Sequence, residues 1–317
     1  MDPSKGAIFV ELDGVGPGTT RPMRVSLAAG AYAVRCRTEG GAAVTGPVVR
    51  VTGAGAGARG VRPLTRNDLY PAVRAYRAST ARGLGVLERR TDVLLDAVRG
   101  GDLKAAQEAW LPAHLAYERL GAAYGTFGHF TDEIDGRPAR RPKGVHDRGL
   151  RQLRGFRRVE WGLWHRESAA SLRGPAERLA RSVRALRDDF PRQETEPGDL
   201  GLRAHEILED VLRFELTGKT DQGSGTTLAT VAAYVEGTRA VLAALRPALE
   251  GRMPELGGID RWLQRASRVL ASHRRHGRWT PLDRLSAMER ERIDGDVGEL
   301  VERLAAVAAV GAVRRTS

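Results

Sequence analysis

The chain is poor in the residues that build thiolate and redox chemistry. One cysteine, Cys36, stands among 317 residues, which excludes an intrachain disulfide and a thiolate metal cage. Lysine is also scarce: Lys5, Lys104, Lys143 and Lys219 stand among 51 basic residues, so arginine carries most of the net charge of +12. Those arginines sit among acids, as in Leu87-Glu-Arg-Arg-Thr-Asp92 and Met288-Glu-Arg-Glu-Arg-Ile-Asp294. Aromatic residues are 5% of the chain, and no basic block alternates with them. The charge therefore reads as solvated helix faces, and no nucleic-acid partner is expected. No stretch approaches the length of a transmembrane helix. The start, Met1-Asp-Pro-Ser-Lys-Gly-Ala-Ile-Phe-Val10, lacks the apolar run of a signal peptide, which taken literally makes the chain cytoplasmic. Neither His-Glu-x-x-His, Gly-x-Ser-x-Gly nor a P-loop occurs.

What is present is enough apolar residue, 41% at a mean hydropathy of −0.36, for a large core in two domains. Residues 1–52 read as short strands at 7–11, 23–27, 31–36 and 48–52, separated by Gly/Pro turns. Four strands are few for an independent sandwich, so this is a fragment or a small appended unit. Residues 53–65, with Gly53-Ala-Gly-Ala-Gly-Ala-Arg-Gly60, read as a flexible linker. From 66 to 317 the apolar period is helical. One long helix is expected at 67–98, loosened near Gly83 and Gly85, and a second at 102–124, kinked at Pro112. A polar loop should follow at 125–149. Further helices are expected at 150–165, 169–188, 199–217, 226–248, 257–275 and 285–310, pairing across short loops as a bundle.

The candidate chemistry lies on those helices. His114 and Glu118 are one turn apart and face the same way. They can offer an imidazole and a carboxylate to one cation, or form an ordinary surface pair. Asp132, Glu133 and Asp135 sit in an acidic stretch ending in Asp-Gly, which also suits a turn. Glu160 lies within the apolar aromatic run Gly155-Phe-Arg-Arg-Val-Glu-Trp-Gly-Leu-Trp164. A carboxylate there needs a cation, or else Arg157 or Arg158 to neutralise it. His205 and Glu209 are again one turn apart, with Glu206 alongside. Oxygen ligands with few imidazoles and no thiolate favour iron, manganese or calcium.

These segments resemble the EfeO/EfeM family of extracytoplasmic iron-uptake proteins. The resemblance rests on Ala113-His-Leu-Ala-Tyr-Glu-Arg-Leu-Gly-Ala-Ala-Tyr-Gly125, Ile134-Asp-Gly-Arg-Pro138 and Gly155-Phe-Arg-Arg-Val-Glu-Trp-Gly-Leu-Trp-His165. It continues, in the same order, through Ala204-His-Glu-Ile-Leu-Glu209 and Phe214-Glu-Leu-Thr-Gly-Lys-Thr-Asp-Gln-Gly-Ser-Gly-Thr-Thr-Leu-Ala229. It implies a mainly α fold, an imelysin-like helical bundle of paired four-helix type, preceded by part of a cupredoxin-like domain. No histidine or methionine follows Cys36 in that part, so type-1 copper is not expected and a packed strand cysteine is. The resemblance further implies metal contacts from Glu118, Asp135, Glu160 and a glutamate of the segment holding His205, Glu206 and Glu209. The family's His-x-x-Glu motif falls on Arg157 and Glu160: its glutamate is kept, while its histidine is an arginine that cannot ligate a cation.

By this resemblance the chain is a non-enzymatic, extracytoplasmic component that captures ferrous or ferric iron. It would pass the ion to a membrane permease, with a haem peroxidase as a further partner. Two alternatives stand beside it: a degenerate relative, in which Arg157 pairs with Glu160 and closes the site, and a metallopeptidase. The latter lacks a histidine pair to hold zinc.

Overall fold

The computed structural model describes residues 1–311 except 5, 11, 13–14, 37–41, 59, 61–63 and 137–147. Two compact units are present, Met1–Asp68 and Leu69–Ala312.

In the first unit, β1 (Gly30–Tyr32) and β2 (Arg35–Cys36) precede β3 (Val44–Thr45) and β4 (Val49–Val51). Antiparallel pairing sets Tyr32 opposite Val49 and Arg35 opposite Thr45. These are two stretches of one hairpin, bridged where the Gly46 N–H donates to the Val34 carbonyl at 2.9 Å. The strands expected at 7–11 and 23–27 do not form among the described residues. Gly16, Pro17, Gly18 and Pro22 interrupt that segment, and a proline cannot donate to a ladder. Cys36 is exposed rather than packed, because a two-residue strand in a two-stranded ribbon has no second layer to bury it.

The second unit is built of helices. Its first, α1 (Arg66–Arg99), begins across the boundary with Thr65 and Asp68 capping one another. It runs unbroken through Pro71, Gly83 and Gly85, burying a stripe that includes Leu69, Tyr76, Leu84, Leu87 and Leu94. Next, α2 (Leu103–Glu118) is capped by the Asp102 carboxylate, which accepts from the Ala105 N–H at 2.9 Å. It passes through Pro112 but stops at Glu118, six residues short of expectation. There the ladder tightens, with Leu120 N–H to Tyr117 O and Ala123 N–H to Leu120 O at 2.8 and 2.7 Å.

The segment expected to be a loop carries α3 (Tyr124–Phe127) and α4 (Phe130–Asp135); residues 137–147 of it lie outside the described ones. Then come α5 (Gly155–Trp164), α6 (Ala169–Asp189) and α7 (Asp199–Arg213). They are followed by α8 (Thr227–Leu249), α9 (Leu256–Ser272) and α10 (Ala287–Gly311). A short hairpin, β5 (Arg274–Arg275) with β6 (Arg278–Trp279), occupies the expected end of the α9 helix. It turns through Gly277 and through His276 at φ +49°.

Helix α8 is the hub, packing against α2, α7 and α9. It is apolar almost all round and buries fifteen of its residues from Thr227 to Leu249. By length and composition α8 could cross a membrane, contrary to the expectation from sequence that no stretch is long enough. Its apolar window is 67% buried inside the protein, however, so here it is a core helix. Gly237 allows the approach of α2: a Cβ there would meet the Arg119 carbonyl oxygen at 2.8 Å.

Candidate metal centre

His114 and Glu118 project from the last two turns of α2, and both are fully buried. The surface-pair reading therefore does not hold. Trp110 stacks on the His114 ring at 4.7 Å, and Phe156 lies tilted against it at 5.3 Å. Asp135, the last residue of α4, joins them because α5 begins in contact with the end of α4. Gly155 makes that contact possible. Its φ is +49°, and a Cβ there would fall 1.8 Å from the Ile134 carbonyl oxygen, a position no other residue type can occupy.

The three side chains offer ligand atoms that lie within 4.8 Å of one another. His114 Nε2 stands 2.7 Å from Glu118 Oε1 and 3.4 Å from Asp135 Oδ1. The closer contact is not aligned as an N–H···O bond, so it is a charge contact. Both ring nitrogens and Asp135 Oδ1 are buried without a hydrogen bond. The outer Glu118 oxygen, Oε2, accepts from the Tyr124 hydroxyl at 2.9 Å.

Arg157, on the first turn of α5, places its guanidinium against this group. Nε donates to Asp135 Oδ2 at 3.0 Å, and Nη2 lies 3.4 Å from Glu118 Oε1 and 3.3 Å from Glu215 Oε1. Nη1 reaches the Thr220 carbonyl at 3.4 Å. Arg157 forms no ion pair with Glu160, which corrects the closing contact expected from the sequence. Arg158 bonds Glu167 instead, at 2.8 Å.

Glu160 is held by backbone and hydroxyl groups. Its Oε1 accepts from the Gln222 and Ser224 amides at 3.0 and 3.2 Å and from the Ser224 hydroxyl at 2.6 Å. Its Oε2 is buried without a partner. Glu160 faces a cleft shared with Trp110, Arg157, Glu215 and Asp221.

Electrostatics follow from these contacts. Burial, the largest influence, opposes a charge on His114, as does Arg157, but the Glu118 and Asp135 carboxylates together prevail and the imidazole is pushed up to about 9. Burial would raise Glu118, yet His114 and Arg157 hold it well below the usual carboxylate range. For Glu160, burial and the nearby Asp221 charge outweigh the attraction of Arg157, and its carboxyl is pushed up to about 7. Arg157 stays charged: burial disfavours its charge, but Asp135, Glu215 and Glu118 prevail.

His205, Glu206 and Glu209 are not brought to this group. On α7 Glu206 is half-buried and pairs with Arg203 at 2.5 Å. The His205 Nδ1 lies 3.0 Å from the Val301 carbonyl of α10, and its Nε2 is 3.8 Å from Glu209, whose side chain is 47% exposed. Their helical spacing matched that of His114 and Glu118, but the apolar face of α7 runs through Leu200, Ala204, Ile207, Leu208 and Val211. Asp132 and Glu133 are exposed on α4. Conversely, sequence reasoning assigned no role to Glu215, Thr220, Asp221 or Ser224. The available signal was a run of hydroxyl, amide and acidic side chains between two apolar helices.

A family model described as Imelysin (Peptidase_M75) matches residues 72–307. The iron uptake system component EfeO of Escherichia coli K12 is 26% identical over 304 residues, 95% of this chain and 79% of that protein. The EfeO proteins of Shigella flexneri and Escherichia coli O157:H7 align with the same identity and coverage. A solved imelysin-like protein from Psychrobacter arcticum 273-4 shares the fold, with a TM-score of 0.60 at 13% identity. The match covers 80% of this chain and 98% of that one.

Proposed function

Because the chain belongs to the imelysin family, we propose that it is a metal-binding, non-enzymatic component of an iron-uptake system. The single observation that carries this reading is the convergence of His114, Glu118 and Asp135 in a buried site, with ligand atoms within 4.8 Å of one another. One imidazole and two carboxylates form a hard-to-borderline donor set suited to ferrous or ferric iron. Asp135 Oδ1 and the His114 nitrogens, buried without hydrogen bonds, are groups for which a cation would supply the missing partner. The similarity to EfeO over 95% of this chain supports iron as the cargo. An extracytoplasmic setting, transfer to a membrane permease and a haem peroxidase as partner belong to the same proposal and rest on the family resemblance of the sequence.

The chemistry needed is capture and release. Ligation requires neutral His114, so binding an ion displaces its proton and acidification favours release. The test is equilibrium binding of iron at fixed pH to the wild type, Glu118→Gln and Asp135→Asn. Each variant should lose at least about tenfold in affinity, since a ligating carboxylate is replaced by a neutral amide. Affinities unchanged in both variants would sink the assignment.

A second reading has its own observation. Arg157 bonds the same carboxylates from a position only 2% exposed, as expected of a family member serving as an interaction or scaffold module without metal. Iron binding by the wild type separates the two readings.

A further inference from the structure

Four oxygens of the centre converge on one positive group. Asp135 Oδ2 comes from α4, Glu118 Oε1 from α2, Glu215 Oε1 from the turn after α7, and the Thr220 carbonyl from the segment leading to α8. Together they surround the Arg157 guanidinium, whose side chain is 2% exposed. Oxygens gathered from four separate elements around one buried positive charge are the donor set a hard cation would take. Here the protein supplies that cation itself.

The allocation of individual oxygens sharpens the point. Tyr124 takes Glu118 Oε2, while Arg157 and His114 both lie against Glu118 Oε1. Arg157 also takes Asp135 Oδ2. Among these ligands only Asp135 Oδ1 and the two His114 ring nitrogens are left without a hydrogen bond, too few to hold an ion firmly. The contacts of Arg157 are also long. At 3.0 to 3.4 Å they exceed the roughly 2.7–2.9 Å of optimised charge-assisted bonds. The guanidinium is enclosed without being tightly gripped.

We propose that Arg157 is the resident cation of this centre, and that a metal ion gains its full ligand set only by displacing the guanidinium from Glu118 and Asp135. The proposal rests on reading His114, Glu118 and Asp135 as the metal ligands, and it makes Arg157 a positioning residue that sets the affinity threshold. While seated, Arg157 keeps three carboxylates compensated and the helices in register; when it leaves, only an incoming cation of higher charge can take its place.

The experiment uses the full chain, with ferrous iron kept reduced as the probe. Wild type, Arg157→Ala and Arg157→Lys are compared by equilibrium dialysis and by melting temperature, each with and without chelator. Arg157→Ala should bind iron at least about tenfold tighter than wild type, because charge-assisted bonds no longer compete for the ligands. In chelator it should melt lower than wild type, and iron should raise its melting temperature by more. Arg157→Lys keeps one charge but loses the planar fork, so its affinity should fall between the two.

Equal, measurable affinity in wild type and Arg157→Ala would overturn displacement while leaving the metal-centre reading intact. Binding by Arg157→Ala alone would uphold displacement and overturn capture by the wild type. Absence of binding in all three proteins overturns both. If Arg157→Ala folds in neither condition, Arg157→Lys decides, since an affinity no higher than wild type would refute the proposal.

Discussion

Two buried residues with raised pKa values give opposite consequences in uptake and in stability. His114, at about 9, is protonated at neutral pH. Iron affinity should therefore rise about tenfold per pH unit below 9, because one proton is released per ion bound; titrations at pH 6, 7 and 8 check this. Glu160, at about 7 in the fold, is raised above the ordinary carboxylate value. Its contribution to stability is thus fully present below about 4.3 and is lost as pH climbs through 7. The fall should amount to roughly 2–4 kcal/mol at about 1.4 kcal/mol per pKa unit. Denaturant titrations from pH 4.5 to 8 should show it in the wild type and not in Glu160→Gln. A wild-type profile matching that of Glu160→Gln would refute the assignment.

At the scale of elements, the junction of α4 and α5 positions the centre, and Gly155 makes that junction. Gly155→Ala should lower stability by more than about 2 kcal/mol, combining a disfavoured positive φ with backbone overlap. It should also weaken iron binding, since Asp135 would shift. Thermal melts and dialysis of one preparation measure both. The helices and the one-turn spacing of His114 and Glu118 were legible in the sequence because they depend on local periodicity. Burial of that pair was not, since it depends on α5 and α8 closing over α2. The same limit explains why His205 and Glu209 looked equivalent to His114 and Glu118. Spacing places two side chains on one face, but only the neighbouring helix decides whether that face is inside. The strands predicted at 7–11 and 23–27 failed for another reason: their residues suit a sheet, but the glycines and prolines between them leave no continuous ladder.

At the scale of the molecule, the two units differ greatly in the order they contain. Met1–Asp68 holds a broken hairpin, whereas Leu69–Ala312 is a helical bundle around α8. Calorimetry should show the bundle unfolding with an enthalpy of about 170 kcal/mol, from about 0.7 kcal/mol per residue near 60 °C. The first unit should contribute a much smaller transition at lower temperature. A single transition with equal van't Hoff and calorimetric enthalpies would instead mean that the two units unfold as one.

Glu160 has a consequence beyond its own titration. By accepting from the Gln222 and Ser224 amides it ties α5 to the strap that leads into α8, and Arg157 pulls on the same strap through the Thr220 carbonyl. The amides of Gln222 and Ser224 are thus natural gauges of what happens at Arg157, three residues before Glu160 on α5. Their exchange with deuterium should be slow at rest and should change on loading with iron, reporting from the backbone what the cargo does to the side chains.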